Sequence, residues 1–212
     1  TGSYFRGFVP ISSITANDSA ASAVSVPDSG QNQDVLDAYK LVLSNDSEFF
    51  SVSDNRSMYL GQLSSGFDGL AVTFPQFAMV DLDANGTMEM IVKVDVNHND
   101  YGYEILSYQD GAVYGYDIVY RAFMELKLDG SFSYAGSAFD TGFGTIELQS
   151  QEYNIRPIAY SESTESGGVH YYSNGVTVTE APYRQLLEEQ QKKEDAKWYD
   201  FSDVNIGSLL GQ

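Results

Sequence analysis

The sequence predicts an α+β domain: a predominantly antiparallel, strongly twisted β-sheet flanked by two helices, with a barrel-like curl of the sheet as a variant. Three observations predict it. From about residue 70 to 178, apolar and polar side chains alternate with period two, as in half-buried antiparallel strands. Asp110-Gly111, Asp129-Gly130 and Asn174-Gly175 punctuate that region, and such pairs tolerate the positive φ of two-residue hairpins. On either side of it the apolar spacing changes to that of an amphipathic helix.

The chain has 212 residues, of which 42% are hydrophobic. That length and composition suit one domain with an ordinary core. Residues 1–33 read as a leader or linker, partly flexible, because 11–33 is Ser, Ala, Asn and Asp with Pro27 and Gly30 and no sustained period. Tyr4, Phe5, Phe8 and Val9 are apolar enough to dock. The single domain then runs 34–212. Its first helix spans 34–44, with Val35, Leu36, Tyr39, Val42 and Leu43 on one face and Asn45-Asp46 stopping it. Residues 45–69 are irregular.

In 88–96, Met90, Val92, Val94 and Val96 share one face while Glu89, Lys93 and Asp95 take the other. Residues 113–120 alternate around Tyr114, Tyr116, Ile118 and Tyr120, and 124–128 around Met124, Leu126 and Leu128. The region holds roughly seven to nine strands. Pro157 marks an edge or a bulge, since it cannot donate to a ladder. The second helix spans 180–195, with Thr179 as cap, Pro182 in the first turn, and Tyr183, Leu186 and Leu187 as the stripe that packs on the sheet. Glu188–Lys192 and Glu189–Lys193 are i,i+4 pairs in the favourable order.

Composition removes several function classes. Thirty acidic residues stand against eleven basic ones, a net charge of −19, which argues against a nucleic-acid surface. There is no transmembrane segment of about 18 apolar residues. Cys is absent, so disulfides, thiolate metal sites and Cys nucleophiles are excluded. His98 and His170 are too few for a multi-histidine centre. The chain starts at Thr1 with no apolar signal stretch, as expected of a mature exported protein whose targeting segment has been removed.

One motif carries specific chemistry. Asp81-Leu82-Asp83-Ala84-Asn85-Gly86-Thr87-Met88-Glu89 places oxygen donors at positions 1, 3, 5 and 9, with Gly at 6. Ca²⁺ takes six to eight hard oxygens, and alternate residues of a tight loop can surround one centre. Asp81, Asp83 and Asn85 supply side chains, Gly86 permits the turn that brings in the Thr87 carbonyl, and Glu89 closes the shell. An EF-hand would need a Glu at position 12, where Val92 stands, and the flanks read as strands. The competing reading is an acidic hairpin turn without an ion.

Asp-x-Asp-x-Asn-Gly-x-x-Glu before an apolar strand resembles the calcium loops of FG-GAP and integrin-type β domains. That resemblance implies Ca²⁺ bound through Asp81, Asp83, Asn85, Glu89 and the Thr87 carbonyl, with Asn85 in place of a third Asp weakening the affinity. More broadly, DAYKLVL, FAMVDLDANGTMEMIVKV, YGYEILSYQDGAVYGYDIVYRAFMELKLDGSFSY and EEQQKKEDAKWYDF resemble uncharacterised secreted proteins or lipoproteins of Clostridia-type Gram-positive bacteria. It implies an extracellular or cell-surface location, with lipid anchoring through a Cys upstream of Thr1 as an option, and no known activity.

Weaker signals stand beside it. Asp95, Asn97, Asn99, Asp100 and Glu104 form a second oxygen-rich stretch that reads first as a polar hairpin loop, able to lend a ligand if it faces the first. Asp140-Thr141-Gly142 has the aspartic-protease triplet but no second copy. No G-x-S-x-G elbow accompanies the two His. The Tyr residues between 101 and 120 are cross-strand and core residues first, and a ligand platform second. The expectation is an exported, non-enzymatic domain with one structural Ca²⁺. The alternatives are a cell-surface glycan- or peptide-binding module using the Tyr-rich sheet, or an enzyme acting on wall polymers.

Overall fold

The computed structural model describes residues 33–67, 69–164 and 166–211, so the leader, apart from Gln33, lies outside the described residues. The chain opens with helix α1 (Gln33–Leu43), whose stripe of Val35, Tyr39, Val42 and Leu43 is buried. Asn45, at φ 61, turns the chain out of it. Short strands β1 (Phe49–Ser51) and β2 (Arg56–Met58) follow, then a 3-10 segment, Leu60–Phe67, and strand β3 (Val72–Thr73). The central strands are β4 (Gln76–Val80), β5 (Glu89–Val96), β6 (Asn99–Gln109) and β7 (Ala112–Val119). A 3-10 turn, Tyr120–Ala122, leads to β8 (Phe132–Ala135), β9 (Thr141–Gln149), β10 (Glu152–Ser163), β11 (Val169–Ser173) and β12 (Val176–Val178). Helix α2 (Glu180–Lys192), strand β13 (Trp198–Asp200) and helix α3 (Asp203–Leu210) complete it.

These strands make two sheets. The 8-stranded sheet has the order β13-β4-β5-β6-β7-β1-β2, with β3 beside β5. Its pairings are antiparallel except β1 with β7, which is parallel. The 5-stranded sheet, β12-β11-β10-β9-β8, is antiparallel throughout. Both have free ends, so the barrel-like variant is not realised. The predominantly antiparallel α+β class is.

Alternation along the central strands gives the large sheet two buried faces. Phe77, Met90, Val92 and Leu106 meet Tyr39, Val42 and Leu43 of α1 and Ile206 and Leu210 of α3. Val80, Ile91, Ile105, Tyr116 and Ile118 meet Phe123, Phe132, Ile146 and Leu148 from the second sheet and its approach. The molecule is thus layered: helices, large sheet, small sheet. The central strands read as nearly continuous burial, because a sheet covered on both sides has no solvent face. On the outer side of β9 and β10, Phe143 and Ala159 receive Tyr183 of α2, with Leu186 and Leu187 alongside as expected.

Several local expectations are revised. Helix α3 was not anticipated. Helix α2 ends at Lys192, short of 195, and Lys193 turns to an extended backbone and pairs with Asp129 at 2.8 Å instead of Glu189. Thr179 occupies the N-cap position without a side-chain cap bond. Residues 124–128 alternate in sequence but form only isolated bridges, Met124 to Ser133 and Lys127 to Asp195, because Glu125 sits at φ 50 and breaks the extended run. Pro157 lies at a register shift in β10, beyond the part paired with β11, so its missing N–H leaves no ladder bond unmade. Among the described residues no helix is long and apolar enough to cross a membrane.

Candidate metal centre

Strand β4 ends where Val80 pairs with Glu89, the first residue of β5, so residues 81–88 are the connection between two antiparallel neighbours. The connection is wound by its own side chains. Asp81 accepts from the backbone N–H of Asn85 at 3.1 Å and of Gly86 at 3.0 Å, through its two oxygens. Asp83 accepts from Asn85 N at 3.2 Å and from Asn85 Nδ2 at 3.0 Å. Ala84 and Gly86 take positive φ, 57° and 87°, and at the second only glycine does so without strain. Gly130, at φ 78, lets the 127–131 turn rest against the loop: a Cβ there would lie 2.7 Å from the Asp81 carbonyl oxygen.

Glu89 is wholly buried beneath this loop. Its Oε2 accepts from Leu82 N at 2.9 Å and its Oε1 from Ser107 Oγ at 3.2 Å. One carboxylate oxygen from each of Asp81, Asp83 and Glu89 lies within 4.8 Å of the other two. Burial, and then the charges of Asp83 and Asp81, push the Glu89 carboxyl up to about 8 against the pull of its hydrogen bonds. Burial and Asp81 likewise raise Asp83. Three carboxylates sharing one small space repel one another unless a cation or a proton intervenes.

Polar residues from distant segments brace the site. Tyr39 of α1 donates to Met88 O at 3.0 Å and accepts from Tyr108 N at 2.9 Å, tying the helix to both strands that carry Glu89 and Ser107. Burial and the nearby Glu89 raise its phenol well above the ordinary value. Gln109 Nε2 donates to Ser107 Oγ and to Tyr116 Oη, each at 3.1 Å, and Tyr116 donates to Gln149 O at 2.6 Å, which extends the network into the second sheet. Tyr39→Phe removes the hydroxyl and leaves Met88 O and Tyr108 N unpaired. The expected loss is about 1–3 kcal/mol in urea unfolding, and a loss below about 0.5 kcal/mol would show that the brace is idle.

Of the predicted ligands, the structure brings Asp81, Asp83 and Glu89 together. Asn85 and Thr87 lie in the same loop, where Asn85 Oδ1 accepts from Thr87 N at 2.6 Å. The second oxygen-rich stretch is the β5–β6 turn, with Asn97 and His98 at φ 54 and 63. Asp95, Asn97, Asn99 and Asp100 sit at the far end of β5, about 20 Å from Glu89 at strand rise and too distant to lend a ligand, while Glu104 lies within β6 opposite Val92, its carboxylate beside the Gly115 backbone and the Phe49 ring. Asp140 occupies a bend, its carboxylate taken up by Ser137 Oγ and Ser163 N at 2.6 Å each. His170 is an exposed β11 residue. The Tyr residues do not form one platform: Tyr103 and Tyr116 are buried, while Tyr101 and Tyr120 are exposed. The sequence reading gives Tyr39 only as a packing residue of the first helix and misses its hydroxyl bonds together with Ser107 and Gln109, whose contribution arises only from packing; the one available signal is Ser107 falling on the apolar face of a strand.

No family model matches the chain, and no curated protein or solved structure matches it. What fold and site define is therefore a class by construction: an α+β domain of two stacked sheets with an acidic cluster, Asp81, Asp83 and Glu89, able to hold a metal ion.

Proposed function

We propose that the β4–β5 loop holds a structural Ca²⁺ and that the protein is an exported, non-catalytic domain stabilised by that ion. The carrying observation is the convergence of Asp81, Asp83 and buried Glu89 to within 4.8 Å. The donor set is all hard oxygen, which favours Ca²⁺, Mg²⁺ or Mn²⁺ over zinc and copper. A flexible loop that can add Asn85 Oδ1 and the Thr87 carbonyl suits the variable shell of Ca²⁺ better than the strict octahedron of Mg²⁺. This is also what the resemblance to FG-GAP-type loops implies. With Asn85 at the fifth position the affinity belongs in the weak range of extracellular modules, about 10⁻⁴–10⁻³ M, which suits a location where calcium is plentiful. The role is mechanical: the ion offsets carboxylate repulsion and ties the start of β5 to the end of β4.

The test is thermal unfolding with calcium and with chelator. At ten times the dissociation constant the ion adds about 1.4 kcal/mol, a rise in Tm of about 3–6 °C for a chain of this size. The calcium increment should vanish in Asp81→Ala and in Asp83→Asn. An equal increment from magnesium reassigns the ion, and none from either, with no heat of binding, removes the reading.

A further inference from the structure

A second cleft, of about 510 Å³, is lined by no residue of the metal loop. It opens where Gln76 of β4 and Trp198 of β13 meet Tyr103 of β6, Tyr120, the 125–127 segment and Gln191 at the end of α2. Its size falls within the range of about 300–1,000 Å³ typical of small-molecule sites. We propose that this cleft binds an uncharged sugar ring, stacked on Trp198 and Tyr120 and hydrogen-bonded through Gln191, Gln76 and Glu125.

Three features carry this. The first is a local aromatic cluster of Trp198, Tyr103 and Tyr120, distinct from a continuous Tyr face of the sheet. Tyr103, only 8% exposed, is the fixed centre; Trp198 lies 5.8 Å from it and Tyr120 is stacked 6.5 Å from it. Tyr120 keeps 38% of its surface open and Trp198 is half-buried, so both have ring surface left for a ligand. The negative face of such a ring attracts the C–H side of a pyranose, while the rim meets the hydroxyls. The second is the state of the charges. Lys93 is held by Asp100 at 2.7 Å and Lys127 by Asp195 at 2.5 Å. Glu125 adds a third carboxylate, so cations are outnumbered and an anionic ligand is disfavoured, the more so on a chain of net charge −19. The third is preorganisation. Lys127 is nearly buried, and Ser133 Oγ holds Glu125 Oε2 at 2.8 Å although Glu125 carries the strained φ of 50. Glu125, an acceptor fixed in advance, loses little entropy on binding a polyol.

Trp198 is the chain's one tryptophan, so its fluorescence reports this cleft directly. The full chain is titrated with methyl glucoside, methyl N-acetylglucosaminide, cellobiose, methyl glucuronide and an arginine-containing tripeptide. The expected result is a saturable change with at least one uncharged sugar and none with the glucuronide or the tripeptide. Tyr120→Ala and Gln191→Ala, both at exposed positions, should each weaken that binding by at least about tenfold while their melting curves stay near the parent's. Failure of every uncharged sugar, binding of the glucuronide or the tripeptide instead, or binding untouched by both substitutions would overturn the assignment. Because the titration gives the same result with calcium or chelator, its failure is separable from that of the metal reading.

Discussion

Phe132→Ala is expected to lower the unfolding free energy by about 3–5 kcal/mol and Tm by more than about 6 °C. Phe132 is fully buried, its ring 4.3 Å from that of Phe123, in the cluster that also holds Ile91 of the large sheet and Ile146 of the small one. Truncation leaves a cavity at the junction of two open sheets, neither of which can collapse inward without breaking its own ladder. Phe139→Ala is the control: that ring is 63% exposed and its loss should cost under about 0.5 kcal/mol. Urea unfolding of both variants measures the difference. A cost below about 1 kcal/mol at Phe132 would mean that the two sheets do not share a core.

The second large effect depends on pH. Glu104 of β6 is 2% exposed, and its Oε1 has no hydrogen-bond partner. A Cβ on Gly115 would collide with that oxygen and with the Phe49 ring, so the glycine is what leaves room for the carboxyl. Burial first, then the charges of Asp117 and Asp54, hold Glu104 far above the ordinary carboxylate range. The folded protein therefore keeps a proton that the unfolded chain releases above about pH 4.3. Unfolding then releases protons, so stability is full below that pH and falls as pH rises, by up to about 1.4 kcal/mol per unit, until the folded carboxyl ionises. Glu104→Gln removes this contribution. Measured in chelator by urea unfolding at about pH 5 and about pH 7, the variant should gain stability relative to the parent as pH rises, with linkage capping the gain at about 1.4 kcal/mol per pH unit. Parallel pH profiles would show that Glu104 does not hold its proton in the fold.

Neither residue announced itself. Phe132 is one of twelve Phe that nothing in the sequence singles out, and Glu104 reads as the last acceptor of a polar loop. Legibility followed range. Helix α1 was visible because Val35, Tyr39, Val42 and Leu43 recur at its period, and it is observed over Gln33–Leu43. Asp110-Gly111 and Asn174-Gly175 were visible as hairpin turns, and both pairs take positive φ. Asn97-His98 makes the same kind of turn without glycine, and so it read as an oxygen-rich loop. The acidic loop was legible because Asp81, Asp83 and Glu89 lie within nine positions and wind on their own backbone. The strands of two or three residues and the parallel pairing of β1 with β7 were not legible, since partners across the sheet decide them.

By itself, then, the chain determined its α+β class, its principal turns and the acidic loop, because period, φ preference and side chain-to-backbone bonding act between residues close in sequence. The tertiary structure alone decided that the strands divide into two open sheets, that Tyr39 and Ser107 brace the site of Glu89, and that Trp198 and Tyr120 each meet Tyr103 beside a cleft. Those outcomes depend on which apolar faces find one another, and burial is a property of the whole assembly that no local stretch of sequence carries.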